Sequence, residues 1–210
     1  MVALTESIPS ILAVSAVAYV ALAIRVARSG QNSNGLVSFF LALVAGMVAG
    51  AAFAYQAESA TMYGIGRTLS FFSAGFIPVV FFLIYREYTV GPPSALFVSV
   101  LVIIPVVTTG LALTNSLHEM IWSAYETGNG LVVSDMASHT WYRTIYAPFT
   151  YGLFGYSALA LIGRLPMIAV AHRKMIGLLL CCTLLPFGVA IANNILGLVP
   201  PYFPFTALWL

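Results

Sequence analysis

The residues with the most evident chemistry follow the fourth apolar segment of the chain. Asn115, His118, Trp122 and Tyr125 have the spacing i, i+3, i+7 and i+10, so a helical turn there would display them on one face. No nucleophile motif frames the Ser, His and Asp residues of the chain, and we expect no catalytic residue. The pattern therefore indicates a polar binding surface rather than an active site.

Other polar residues lie at the same membrane face as Asn115 and His118 if successive apolar segments cross a membrane in alternating directions. Glu58 closes the second segment and Arg67 opens the third. Asn193 lies in the sixth, about 28 Å from Lys174 at 1.5 Å per helical residue. Polar residues at membrane depth are costly and are candidates for function by default. We therefore predict an outward-opening ligand pocket that is built from Glu58, Arg67, Asn115, His118, Trp122, Asn193 and, beside it, Asn194.

Each of these residues also has a simpler interpretation. Glu58 and Arg67 can form a salt bridge. Asn115 can cap a helix, and Trp122 can lie at the membrane interface, where tryptophan is favoured. Both interpretations of the group stay open on the sequence alone.

His118 carries the sharpest of these hypotheses. Histidine can change its charge at ordinary external pH, and Glu119 follows His118 directly. We predict that His118 lines the mouth of the pocket as a ligand contact or a pH-sensitive latch, with Asn115 and Trp122 as neighbours. The alternative is that His118 only caps the fourth helix.

The segments that must position these residues are membrane-spanning by composition. Only 7% of the residues are charged and 61% are hydrophobic, whereas a soluble domain carries roughly a quarter charged residues. Charge-free stretches near the roughly 20 residues that cross a hydrocarbon core separate the charged positions. We predict an all-α membrane bundle that occupies residues 1–210 as a single domain. Its six complete helices cover approximately residues 8–28, 36–58, 66–86, 93–113, 144–165 and 174–199, and a seventh begins near residue 204.

The distribution of charge predicts the orientation of the bundle. With alternating crossings, one side collects the basic residues Arg25, Arg28, Arg86, Arg164, Arg173 and Lys174. The other side collects the acidic residues Glu6, Glu58, Glu119, Glu126 and Asp135, and its only basic residues are Arg67 and Arg143. An excess of Lys and Arg in short loops marks the cytoplasmic side, so the N-terminus is expected outside.

Small residues and prolines give further expectations about packing. Gly46 and Gly50, with neighbouring alanines, suit a close helix–helix contact in lipid. Pro78, Pro105 and Pro186 lie inside apolar segments, where proline usually kinks a helix. Such kinks can act as signalling hinges, or packing geometry alone can explain them.

Several classes of site find no support in the sequence. A retinal protein needs a lysine in the middle of a helix, whereas Lys174, the one lysine, opens the sixth segment. His118 and His139 are 21 residues apart, which is a weak signal for haem. The basic residues form no run that would bind nucleic acid. We therefore expect no cofactor, no metal and no nucleic-acid partner.

In their order, these features resemble a known family. The most specific element is Thr114-Asn115-x-x-His118-x-x-x-Trp122. Around it lie Ala57-Glu58, Pro78, Glu87-Tyr88-Thr89, Pro105, Tyr151 to Leu159, Pro186 and Asn193. The chain is similar over nearly its whole length to the N-terminal seven-transmembrane sensor region of bacterial histidine kinases and diguanylate cyclases.

The resemblance implies a sensory input domain without enzyme activity of its own. Such a domain lies in the bacterial inner membrane and leads into a cytoplasmic output domain, in cis or in trans. The resemblance does not name a ligand, and our leading hypothesis is that an unknown small or lipophilic ligand binds in the outer pocket and that its binding is relayed to the output domain. It also allows a homodimer, since kinases of this kind generally work as dimers. The alternative is a small multi-pass transporter or a quinone-handling membrane protein. A kinase or cyclase domain in frame after Leu210 distinguishes the first from the second.

Overall fold

The structure, a computed structural model, describes residues 2–28, 34–127, 130–133, 139–170, 172–173, 176–177 and 179–180. Its elements in chain order are α1 (Val2–Arg28), α2 (Asn34–Tyr55), α3 (Ala60–Thr89), α4 (Ala95–Leu113), α5 (Asn115–His118), β1 (Ala124–Thr127), β2 (Gly130–Val133), a π-helical turn (Tyr142–Tyr146), α6 (Ala147–Arg164) and a 3₁₀ turn (Leu165–Met167). The predicted helical class is confirmed for this part of the chain. Most of the predicted sixth segment, with Pro186, Asn193 and Asn194, and the start of a seventh lie outside the described residues.

Four of the described helices are long and apolar enough to cross a membrane. They are Gly35–Tyr55, Ala60–Thr89, Ala95–Leu113 and Tyr142–Met167. In the polar interval after α4 the structure departs from the expected all-α bundle, because β1 and β2 form an antiparallel hairpin that pairs Ala124 with Val133. This polar interval lies between two candidate spans, so the hairpin belongs to the loop and not to the bundle.

Local hydrogen bonds decide where α3 and α4 begin. The Ser59 hydroxyl accepts the Met62 N–H at 3.2 Å, and the Ser94 hydroxyl accepts the Phe97 N–H at 3.3 Å. Each serine satisfies a backbone donor that has no partner in the first turn of a helix. Helix α3 therefore begins earlier than the sequence analysis expected, and Arg67 lies about two turns inside the helix instead of opening it.

Helix α3 occupies the centre of the described bundle, with α2, α4 and α6 against it. Its second half supplies most of the core. Phe81 and Ile84 are fully buried, and the Phe81 ring stacks on Phe154 of α6 with centroids 4.7 Å apart. Because three helices rest on α3, its orientation determines which residues face each neighbour.

The close contact expected of Gly46 and Gly50 is present between α2 and α3. A Cβ on Gly50 would lie 2.6 Å from the Gly66 carbonyl oxygen, and a Cβ on Gly66 would lie 2.5 Å from the Ala54 nitrogen. A Cβ on Gly46 would lie 2.6 Å from the Ser73 hydroxyl oxygen. The backbones thus meet where side chains would collide, which is how small residues stabilise helix contacts in lipid.

Of the three prolines that the sequence placed inside apolar segments, the two that the structure describes are packing residues. Pro78 and Pro105 are both buried. A Cβ on Gly75 of α3 would lie 3.3 Å from the Pro105 Cβ, so the Pro105 ring fills the space that Gly75 leaves. This contact favours the packing interpretation of Pro105 over a free hinge.

Gly50→Val is expected to destabilise the protein by about 2 kcal/mol or more, because added atoms in a filled interface force the backbones apart. Thermal unfolding of the purified chain in detergent measures the effect. Gly152→Val is the matched control, since nothing lies within 4 Å of a Cβ at Gly152. Equal losses of Tm in the two variants would contradict the close-contact interpretation.

Candidate functional site

The segment after α4 reverses direction within a few residues. We call residues 114–122 the reversal loop. Helix α5 lasts only from Asn115 to His118, and Glu119 then adopts the left-handed conformation with φ 49°. The single helical face expected for Asn115, His118, Trp122 and Tyr125 is therefore not formed, and the chain enters β1 instead.

The Asn115 amide holds the reversal loop together. Its Oδ1 accepts the N–H groups of Ile121 at 3.0 Å and Trp122 at 3.4 Å, and its Nδ2 donates to the Trp122 carbonyl at 2.7 Å. The Asn115 side chain is buried. One amide thus satisfies three backbone groups that a continued helix would have paired differently, which explains the turn.

His118 and Thr114 close the end of α4. The Met120 N–H donates to His118 Nδ1 at 3.0 Å, and His118 Nε2 lies 3.1 Å from the Thr114 hydroxyl oxygen. Because Nδ1 accepts, the proton of the neutral ring is assigned to Nε2, which donates to Thr114. The Thr114 hydroxyl in turn donates to the Gly110 carbonyl at 2.9 Å. His118 therefore links the Thr114 hydroxyl at the end of α4 to the backbone N–H of Met120, while Thr114 itself bonds to the α4 backbone.

The reversal loop delivers the Trp122 ring into an aromatic cluster. The cluster consists of Tyr63, Phe71, Trp122, Tyr142 and Tyr146, all buried. The Trp122 ring stacks on Phe71 with centroids 5.6 Å apart and an interplanar angle of 18°. Phe71 also contacts Tyr142 at 6.2 Å and Tyr146 at 5.2 Å. The cluster therefore joins the reversal loop to α3 and to the π-helical turn before α6.

Arg67 and Glu58, expected in one pocket, lie in different environments. Arg67 is buried, its Nε donates to the Tyr63 hydroxyl at 2.9 Å, and its guanidinium carbon lies 5.4 Å from the Tyr63 ring centroid. Glu58 is exposed in the link between α2 and α3. The Arg67 Nε bond thus goes to the aromatic cluster and not to Glu58, because α3 begins at Ala60 and carries Arg67 inward.

The π-helical turn was not predicted from the sequence. Five residues, Tyr142–Tyr146, adopt it, and the Trp141 indole N–H donates to the Thr108 hydroxyl of α4 at 3.1 Å. Single π-helical turns are rare and frequent at functional sites. The sequence shows three aromatic residues there, Trp141, Tyr142 and Tyr146, but no pattern that distinguishes a π-helical turn from an ordinary helix.

A groove with a volume of about 580 Å³ lies between α3, α4 and the reversal loop. We call it the α3–α4 groove. Its lining is Ala60, Thr61, Gly64, Ile65, Thr68, Leu69, Phe72, Thr109, Ala112, Leu113, Asn115, Ser116, Glu119 and Trp122. Two of the predicted site residues, Asn115 and Trp122, therefore line it. Arg67 and His118 are next to the lining residues Thr68 and Glu119 in the chain but do not line the groove themselves. Asn193 lies outside the described residues.

Asn115→Ala is expected to lower the free energy of unfolding by about 2–3 kcal/mol, because it leaves buried backbone groups without partners. It should also shift the emission of Trp122 to longer wavelength as the ring leaves the aromatic cluster. A Trp141→Phe/Trp209→Phe background makes Trp122 the sole emitter. Ser116→Ala, an exposed neighbour, is the control and should change neither quantity. Retention of the wild-type emission in Asn115→Ala would contradict the structural role of the amide.

Comparison with known proteins identifies the family of the chain. Residues 11–210 match the family model of the N-terminal 7TM region of histidine kinases. No match was found among curated proteins, and none among solved structures. That family is a membrane sensor region and is not catalytic by itself. The chain belongs to the N-terminal seven-transmembrane region family of histidine kinases, and it is a membrane sensory input domain.

Proposed function

We propose that this domain binds a small or lipophilic ligand in the α3–α4 groove near the outer membrane face and relays binding to a cytoplasmic output domain. The observation that carries the proposal is the position of Trp122. Trp122 lines the groove, and its ring is stacked on Phe71 in the aromatic cluster. A ligand that touches the groove wall therefore touches the packing between α3 and the start of α6.

The relay requires that the ligand distinguish two arrangements of the helices. A ligand shifts such an equilibrium only by its differential affinity for the two states. Phe71 contacts Trp122 and also both tyrosines of the π-helical turn. Movement of the Trp122 ring would thus reach α6, which runs to Arg164 at the other end of the bundle.

The orientation belongs to the proposal, with the N-terminus outside and the groove at the outer face. Its support is that basic residues occupy the last turns of α1, α3 and α6. These ends pack together, since Ala23, Ile84 and Leu161 share one core cluster. The groove lies at the opposite end, formed by the beginning of α3 and the end of α4.

Cysteine labelling tests this orientation. In a Cys181→Ala/Cys182→Ala background, Ser116→Cys should react with a membrane-impermeant maleimide in intact cells, because Ser116 is exposed at the groove. Asn32→Cys should react only after permeabilisation. The reverse pattern would overturn the proposed orientation.

His118 enters the proposed site through the reversal loop. Its Nδ1 accepts the Met120 N–H and its Nε2 lies against the Thr114 hydroxyl, so both ring nitrogens contact groups of the reversal loop. Loss of either contact would loosen the reversal loop, and this is the physical content of the latch hypothesis. Signalling of His118→Ala that varies with external pH as in wild type would leave His118 a structural residue.

Filling the groove tests the proposed function. Gly64 lines the groove, and nothing lies within 4 Å of a Cβ there. In the intact sensor, Gly64→Leu should change the output activity by about five-fold or more, the lower range of an allosteric coupling. The control Gly152→Leu adds the same atoms on α6, away from the groove, and should leave output unchanged.

An unchanged output in Gly64→Leu, at normal membrane levels, would contradict the proposed function. So would a gene that continues past Leu210 only to complete a seventh helix, with no kinase or cyclase partner beside it. That second outcome favours the transporter or quinone-handling alternative.

A further inference from the structure

The α3–α4 groove opens on the lipid-facing surface of the bundle. Ile65 is 59% exposed, and Leu69 and Phe72 are each 41% exposed on α3, while Leu113 is 69% exposed on α4. All four line the groove and belong to the candidate spans Ala60–Thr89 and Ala95–Leu113. An occupant can therefore enter sideways from the hydrocarbon, and the part that lies there must be apolar.

The hydroxyls in this apolar part are already used within the protein. Thr68 donates to the Ala112 carbonyl at 3.3 Å, and Thr109 donates to the Pro105 carbonyl at 2.8 Å. Neither hydroxyl proton is left for a polar substituent. The lining extends along α3 from Ala60 to Phe72, about 18 Å at 1.5 Å per residue, which suits an extended alkyl chain.

The polar end of the groove is formed by the reversal loop. Ser116 and Glu119 line this end and are exposed. The Asn115 amide, in contrast, is engaged by Ile121 and Trp122. Of the described residues that line the groove, Glu119 alone is charged, and its Oε2 accepts the Ser123 hydroxyl at 2.7 Å. The groove thus presents negative charge where a head group would lie.

We propose that the α3–α4 groove binds a single-chain amphiphile whose head group is cationic, with the chain between α3 and α4 and the head at Ser116 and Glu119. An uncharged head binds more weakly and an anionic head most weakly. This inference rests on the proposed function, and it names the chemical class of the ligand. An amphiphile with an anionic head group is disfavoured because the Glu119 carboxylate repels it. No cation among the described lining residues offsets this repulsion.

Quenching of Trp122 tests the proposal directly. The full chain, with Trp122 as its sole tryptophan through Trp141→Phe/Trp209→Phe, is placed in nanodiscs of zwitterionic lipid. Three probes share one brominated alkyl chain and carry a trimethylammonium, a hydroxyl or a carboxylate head. Bromine quenches tryptophan only near contact, so saturable quenching reports occupation of the groove. Titrations are expressed against the measured concentration of probe in the bilayer.

The ammonium probe should give saturable quenching at the lowest concentration and the carboxylate probe at the highest. Gly64→Leu should abolish the saturable part, and Gly152→Leu should retain it. Glu119→Gln should lower the affinity for the ammonium probe by about two- to five-fold, which is the range of an exposed ion pair. It should leave the affinity for the hydroxyl probe unchanged. Gel filtration establishes that each variant is folded.

Two results would overturn the proposal. One is equal or inverted affinity across the three head groups, with no effect of Glu119→Gln. The other is saturable quenching that persists in Gly64→Leu.

Failure of the two proposals can be separated, since output is measured independently. If no probe quenches while Gly64→Leu still changes output, the ligand class is wrong and the proposed function stands. If quenching follows the expected order and Gly64→Leu leaves output unchanged, the groove binds amphiphiles but does not signal.

Discussion

Helix α3 can lie against α2 at backbone distance only because glycines face each other there. Gly50 and Gly66 leave no room for a Cβ on either helix. The Ser70 hydroxyl adds a bond to the Met47 carbonyl at 3.2 Å across the same interface. With one side of α3 fixed in this way, Phe71 is committed to the aromatic cluster and Leu69 to the lipid-facing groove wall. In a bilayer, apolar burial contributes little to helix association, so this geometric constraint has to supply the specificity.

The second constraint is the need to pair the backbone where α4 ends. A chain that leaves a helix has carbonyl and amide groups without partners, and burying them costs free energy. The side chains of Thr114, Asn115 and His118 meet that need within one reversal loop. The most specific sequence motif of the chain is therefore first a folding motif. It becomes part of the candidate site because it sets the Trp122 ring against Phe71.

Hydropathy predicted segments that overlap the four described candidate spans, because the thickness of a membrane sets the length of an apolar segment that crosses it. Gly46 and Gly50 were recognised because few other residues permit close helix–helix contact. The sequence did not predict the reversal loop. Periodicity assumes that a helix continues, whereas Asn115 side-chain bonds compete with helical bonds and end it.

The position of Arg67 was missed through a related error. Helix α3 begins at the Ser59 cap, and a start that is earlier by two turns moves Arg67 from the membrane surface into the aromatic cluster. The groove could not be predicted either, because it depends on how α3 and α4 pack. The expectation for Asn193 concerns a part of the chain outside the described residues.

Magnitudes restrict how the site can act as a switch. A ligand at a hundred times its Kd stabilises the bound state by about 2.7 kcal/mol. Releasing Trp122 would break the three Asn115 bonds at roughly 1 kcal/mol each and would also lose its ring stacking. The sum exceeds what the ligand supplies. A change of ring geometry within the aromatic cluster costs less, about 0.5–1.5 kcal/mol for an aromatic pair, and leaves Trp122 buried. A site of this construction would therefore signal by repacking Trp122 against Phe71 and Tyr63 rather than by expelling it.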